Sequence, residues 1–190
     1  MSDNSGVMNT GSGGTINIGN RNVFGYQPHV THVTLTTSEN ALLESVREHV
    51  AADQVEREHD IFLSHASVDR EPAQILLHAL EKFGVDVWVD DFSLRYGRSF
   101  VRAIDRGIAL SRIGVILVTP TVIAGRPWVE KEFSALLADK ETVIPILHGV
   151  TNTELRRYSP LLHVKKGLST ADHNFEEIAN LIVGALTASE

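Results

Sequence analysis

The sequence predicts an α/β domain with a doubly wound parallel sheet, preceded by a low-complexity extension. Three observations carry this. Strand-like apolar runs alternate with segments of helical periodicity from Glu58 onward, the pattern of a parallel sheet with crossover helices. Ile113–Val118 is an almost unbroken apolar run, as a strand covered on both faces requires. Met1–Ser38 has only Asp3 and Arg21 as formal charges and is dominated by Gly, Asn, Ser and Thr. Boundaries near Ser38 and Glu58 then divide the chain into an extension over 1–38, a helical connector over 39–57 and a domain over 58–190.

In the connector, Leu42, Leu43, Val46 and Val50 recur at helical spacing, and Ser38 is the predicted N-cap. Asp60–Ser64 is the first strand of the domain. Asp69–Phe83 follows as a helix that buries Ile75, Leu76, Ala79 and Leu80, with Gly84 as its left-handed stop. Val85–Val89 is the second strand, and Asp90–Arg98 a polar loop that contains Asp90 and Asp91. Ser99–Leu110 is a helix with Phe100, Val101, Ile104 and Ile108 inward. The Ile113–Val118 strand leads into a Pro/Gly-rich loop over Thr119–Pro127. Pro127 suits the first turn of the next helix, which runs to about Ala138. Thr142–Leu147 is a strand, His163–Lys165 a weaker one, and Phe175–Leu186 a closing helix. Right-handed crossovers put helices on both faces of such a sheet.

Composition narrows the function. The 190 residues suit one domain plus a tail, and 43% hydrophobic content is enough for a packed core. A net charge of −7 argues against a nucleic-acid partner. Cysteine is absent, which removes disulfides, thiolate metal sites and a thiol nucleophile together and agrees with a cytoplasmic setting. No secretion signal and no membrane span are expected. His29 and His32 are closely spaced without a further ligand nearby, so they read as surface residues and no metal site is expected.

The most informative stretch is Trp128-Val129-Glu130-Lys131-Glu132. Trp128 and Glu132, at i and i+4, share one helix face. That face opens after a buried strand, where ligands bind in open α/β sheets. A carboxylate beside an indole suits the stabilisation of a developing cation on a sugar. No G-x-G-x-x-G follows a strand, and no G-x-x-x-x-G-K-[ST] exists. A phosphoacceptor Asp at the end of the third strand is also missing, because that strand ends in Thr119-Pro120.

Several motifs, in order, resemble Toll/interleukin-1 receptor (TIR) domains of the bacterial type. His59-Asp60-Ile61-Phe62-Leu63-Ser64-His65-Ala66-Ser67 is similar to their opening strand and loop. Val87-Trp88-Val89-Asp90-Asp91-Phe92-Ser93-Leu94, with Gly97 and Ser99, resembles the second strand and BB loop. Ser111-Arg112-Ile113 through Pro120, then Trp128 and Glu132, resembles the third strand and its helix, and Val143-Ile144-Pro145-Ile146 the fourth strand. The resemblance implies a flavodoxin-like sheet, and cleavage of the bond between nicotinamide and ribose in NAD. NAD is then substrate rather than cofactor. Glu132 maps to the catalytic glutamate and Trp128 to the residue beside the nicotinamide ribose. Ala66 and Ser67 line the same cleft, and Leu94, Gly97 and Ser99 shape its loop side. Some NAD-cleaving members have arginines where this chain has Ala66 and Ser67, so pyrophosphate contacts fall to Arg95, Arg98 or a neighbouring subunit. Self-association through the TIR domain is implied as well.

The extension has its own motif. Ile16-Asn17-Ile18-Gly19, followed by Asn22, resembles the RHIM-type amyloid pattern I/V-Q-I/V-G-x-x-N, with Asn17 in place of Gln. Low charge and repeated Asn suit stacked in-register strands, and equally suit a disordered tail. The first reading makes residues 13–25 an assembly segment, with an NLR-like sensor as partner. Together these readings describe a self-assembling NAD-cleaving effector of bacterial immunity, such as antiphage defence, or cell death. The alternatives are a non-enzymatic TIR adaptor acting by homotypic association, and an assembly protein whose active part is the N-terminus.

Overall fold

The computed structural model describes residues 13–16, 33–92, 97–124, 141–158 and 167–187. β1 (Gly13–Ile16) pairs antiparallel with β2 (Val33–Thr36), and α1 (Thr37–Ala52) follows directly. The domain proper then runs β3 (His59–Ala66), a 3-10 turn (Ser67–Asp69), α2 (Arg70–Glu81), β4 (Val87–Phe92), α3 (Gly97–Leu110) and β5 (Ser111–Val118). It continues with α4 (Pro120–Ile123), β6 (Val143–Leu147), α5 (Asn152–Tyr158), β7 (Leu168–Ser169) and α6 (Phe175–Leu186). No helix among the described residues is long and apolar enough to cross a membrane.

The main sheet has the order β4-β3-β5-β6-β7, and every pairing is parallel. Strand alternation sends residues to two cores. Ile61, Leu63, Ile113, Val115, Leu117, Ile144 and Ile146 pack with α1, α2 and α6 on one face. Phe62, Ala66, Ile116, Val118, Val143 and Leu147 pack with α3, α4 and α5 on the other. The doubly wound expectation is therefore met. Trp88 is half-buried on edge strand β4, with its ring 5.4 Å from that of Phe62.

The element limits differ from the sequence reading at several points. The N-cap of α1 is Thr36, not Ser38. Its hydroxyl accepts from Glu39 N at 3.3 Å, and Glu39 Oε2 accepts from Thr36 N at 2.8 Å, which closes a capping box. β4 begins two residues later than expected and extends to Phe92, so Asp90 and Asp91 belong to a strand and not to a loop. They stay in it because Ser64 and His65 supply ladder partners in register. α3 starts at Gly97, and Pro120–Ile123 forms a helical turn capped by Thr119. α5 was not anticipated, although Thr151-x-x-Glu154 is a capping box. Thr151 N donates to Glu154 Oε2 at 2.8 Å, and Glu154 N to Thr151 Oγ1 at 3.2 Å. The last strand is Leu168–Ser169, whereas His163–Lys165 lies outside the described residues. So does the helix expected from Pro127 to Ala138, apart from the sequence itself. Gly84, with φ of 73°, ends the α2 turn as the sequence predicts.

Gly107 sets how closely α3 approaches the sheet. A Cβ there would lie inside contact distance of Cγ, Cδ2 and Cε2 of the fully buried Phe62 ring. The ring is held by strand and core, so the clash is not relieved by a rotamer change. Gly107→Ala is expected to destabilise the fold by about 2 kcal/mol. This sets roughly 3 kcal/mol of overpacking against a helix-propensity gain of about 1 kcal/mol. The midpoint of urea unfolding checks it.

Candidate functional site

Neighbouring strands β3 and β5 send their following chain to opposite faces of the sheet. α2 packs with the α1/α6 core, and α4 with the α3/α5 core. In open α/β sheets a ligand crevice lies at such a divergence, here at the C-terminal ends of β3 and β5. Asp69 ties the crevice walls together. Its carboxylate accepts from Thr119 Oγ1 at 2.6 Å and from Thr121 Oγ1 at 3.5 Å. Thr119 is buried and also accepts from Val122 N at 3.4 Å. Sequence reasoning missed both Asp69 and Thr119. A Thr capping a Pro-led turn was the available signal for the second.

Of the predicted substrate-binding residues, Ala66, Ser67, Gly97 and Ser99 are described. Ala66 closes β3 and is buried in the core with Phe62 and Ile104. Ser67 is exposed and opens the 3-10 turn. Gly97 and Ser99 lie in the first turn of α3. Leu94, Trp128, Glu132 and Arg95 lie outside the described residues, as do Asn17, Ile18, Gly19 and Asn22 of the N-terminal motif. Ile16 is in β1, opposite Val33.

A cavity opens at the C-terminal ends of β3 and β4, beside α2, with a volume of about 270 Å3. Ala73, Leu77 and Val89 give it an apolar wall, and His65, Gln74 and Asp90 a polar one. Asp91 sits beside His65 in the strand register and pairs with Arg70 at 2.8 Å. His65 is only 3% exposed, and neither ring nitrogen has a partner among the described residues. Burial holds the His65 imidazole below its ordinary value. Arg70 adds to this, while Asp91, Asp69 and Asp90 oppose it. Burial raises the Asp90 carboxyl, and the neighbouring Asp91 charge raises it further.

The His65 shift has a definite sign. Below the ordinary value of 6.5, the unfolded chain takes up a proton that the folded chain resists, so stability falls with acidity. It is fully present above that value and is lost as pH falls through the lowered one. His65→Gln is expected to remove this part of the slope. Urea midpoints measured at about pH 7 and about pH 5 should differ less in the variant than in the parent.

Comparison with known proteins agrees with this architecture. A TIR domain family model matches residues 61–181. The chain is 31% identical to the 2' cyclic ADP-D-ribose synthase AbTIR of Acinetobacter baumannii, over 83% of this chain and 56% of that protein. It is 36% identical to the NAD(+) hydrolase PdTIR of Paracoccus denitrificans, over 63% of this chain and 42% of that protein. It is 32% identical to the 2' cyclic ADP-D-ribose synthase BtTIR of Bacteroides thetaiotaomicron, over 64% and 44% respectively. The chain thus spans about half the length of the curated relatives it matches. Among solved structures, a metazoan TIR-STING receptor from C. gigas in complex with 2',3'-cGAMP aligns with a TM-score of 0.50 and 19% identity. That alignment covers 66% of this chain and 40% of the receptor, and it supports the fold. The parallel five-stranded order, the crevice between β3 and β5 and the matched span from Ile61 to Leu181 make the chain a member of the TIR domain family.

Proposed function

We propose that the chain cleaves NAD, releasing nicotinamide and forming ADP-ribose or a cyclic ADP-ribose isomer. The observation that carries this reading is the family match. Its span, 61–181, includes Trp128 and Glu132, and relatives over that span are named for NAD hydrolysis and cyclic ADP-ribose synthesis. Cleavage breaks the bond from the ribose C1' to the pyridinium nitrogen. The electron pair leaves with nicotinamide, which departs neutral and needs no general acid. C1' becomes oxocarbenium-like. Glu132 stabilises that charge and orients the ribose hydroxyls, and Trp128 packs beside the ring. Water adds at C1' and loses a proton to give ADP-ribose. An internal hydroxyl or ring nitrogen closes the cyclic product instead.

In this proposal Ala66, Ser67, Leu94, Gly97 and Ser99 surround the substrate, which is used without a separate cofactor. The active form is an assembly in the cytoplasm built through TIR–TIR contacts. The segment Ile16, Asn17, Ile18, Gly19 and Asn22 raises local concentration by stacking, alone or with an NLR-like sensor. The setting is bacterial immune or cell-death signalling. Concentrated protein incubated with NAD should release nicotinamide, with products resolved by chromatography. No release, even from clustered protein, would favour a non-enzymatic adaptor.

A further inference from the structure

We infer that Asp69 is a positioning residue for the reaction: its bond to Thr119 sets the place from which the chain runs on to Trp128 and Glu132. The inference rests on the NAD reading of the site. Its foundation is a cap left unmade. Asp69 stands at the N-cap of α2, where an aspartate ordinarily accepts from a backbone N–H of the first turn. Its side chain makes no such bond. Thr36, Thr151, Asn174 and Thr119 all cap their own helical turns. The Asp69 carboxylate turns away instead. It reaches from the turn after β3 to the end of β5 and accepts from Thr119 Oγ1 at 2.6 Å. That length is typical of a hydroxyl on a carboxylate, the stronger class of hydrogen bond. A local bond is thus exchanged for one across the opening between the two strands.

Thr119 passes the constraint on. It is buried, and its oxygen also accepts from Val122 N at 3.4 Å. Thr121 Oγ1 donates to the same carboxylate at 3.5 Å. The start of α4 therefore hangs on Asp69 at two points. Its other contacts are apolar. Val122 packs in the core with Leu155 and Tyr158, and a Cβ at Gly149 would stand 3.6 Å from Pro120 Cδ. Apolar contacts hold the turn close but are non-directional, so the hydrogen bonds to Asp69 orient it. After Ala124, which caps the turn, only Gly125, Arg126 and Pro127 precede Trp128. Four Cα steps span at most about 14 Å, so a shift of the turn is carried to Trp128 and on to Glu132. A misplacement of about 1 Å at a reacting centre can cost about 10²-fold in rate. In this role Asp69 acts through the backbone and need not touch NAD.

The test reads kcat, KM and the chain's two tryptophans, Trp88 and Trp128. Asp69→Ala is expected to lower kcat for nicotinamide release by about tenfold, with KM changed by less than about threefold. Thr119→Val deletes the same bond and should do likewise. The double variant should lose no more than the worse of the two, because both act through one bond. Asp69→Asn keeps a carbonyl acceptor for the Thr119 hydroxyl and should return kcat to within about threefold of the parent. Fluorotryptophan labelling of the full chain adds a readout independent of turnover. By fluorine NMR, Asp69→Ala should move the Trp128 signal and leave that of Trp88, on edge strand β4, in place. An unmoved Trp128 signal, movement of both signals, or losses that multiply in the double variant would overturn the inference. So would an Asp69→Asn as slow as Asp69→Ala, since the carboxylate would then act by its charge. A Trp128 signal that moves as expected, in a chain whose parent form releases no nicotinamide, would sink the NAD reading and leave the Asp69 link standing.

Discussion

Glu132→Ala is expected to lower nicotinamide release from NAD by about 10²–10³-fold, the loss seen when one preorganised group at a developing charge is removed. In the proposed mechanism charge builds at C1' as the bond to nicotinamide stretches, so the carboxylate would interact far more strongly with the transition state than with bound NAD. The fall should therefore appear in kcat, with KM little changed. Glu132→Gln keeps the shape and one acceptor but loses the charge, so it should recover little. On the helix that the sequence predicts there, the substitution should leave the thermal midpoint within about 3 °C of the parent. That separates a chemical loss from an unfolded one. Equal release by parent and Glu132→Ala would remove Glu132 from the mechanism. Glu130 is not expected to substitute for it, because on the helix that the sequence predicts a residue two positions away faces another side.

The order of elements was legible because each depends on local periodicity. Ile113–Val118 reads as a buried strand from its own composition, and the structure pairs it on both sides. Limits were less legible where tertiary partners set them. Asp90 and Asp91 are poor strand formers, yet they continue β4 because β3 offers a parallel ladder as far as Ala66. The crevice bond from Thr119 to Asp69 joins residues 50 apart, and no local pattern announces it. His65 follows the predicted strand Asp60–Ser64, and nothing local marks it out. Its unmet hydrogen bonds show only once α2 and β4 are placed around it. Capping boxes were the signal left unread. Thr36 with Glu39 and Thr151 with Glu154 both mark helix starts by spacing alone.

Glu39→Ala is expected to destabilise the fold by about 3 kcal/mol, because one buried carboxylate performs two tasks. Glu39 Oε2 accepts from both the backbone N and the hydroxyl of Thr36 at 2.8 Å and so caps α1. Its Oε1 lies 3.0 Å from His173 Nε2, with both side chains under one-tenth exposed. His173 precedes α6, so the pair fastens the start of α1 to the start of the closing helix. Loss of the cap costs about 1 kcal/mol, and a buried imidazole left without a partner about 2 kcal/mol more. Thr36→Ala, which removes the cap but leaves the His173 contact, should cost only about 1 kcal/mol. Glu39→Gln, which can keep both contacts, should fall between the parent and the alanine variant. If Glu39→Ala costs no more than Thr36→Ala, the buried pair contributes nothing. Hydrogen exchange gives a second readout. Val33, Leu35, Leu43, Val46 and Val50 share one core with α2 and α6, so α1 amides should lose protection before those of β3 and β5. Such a hierarchy would make the Glu39–His173 contact the point at which a pull on the N-terminal extension first reaches the TIR domain.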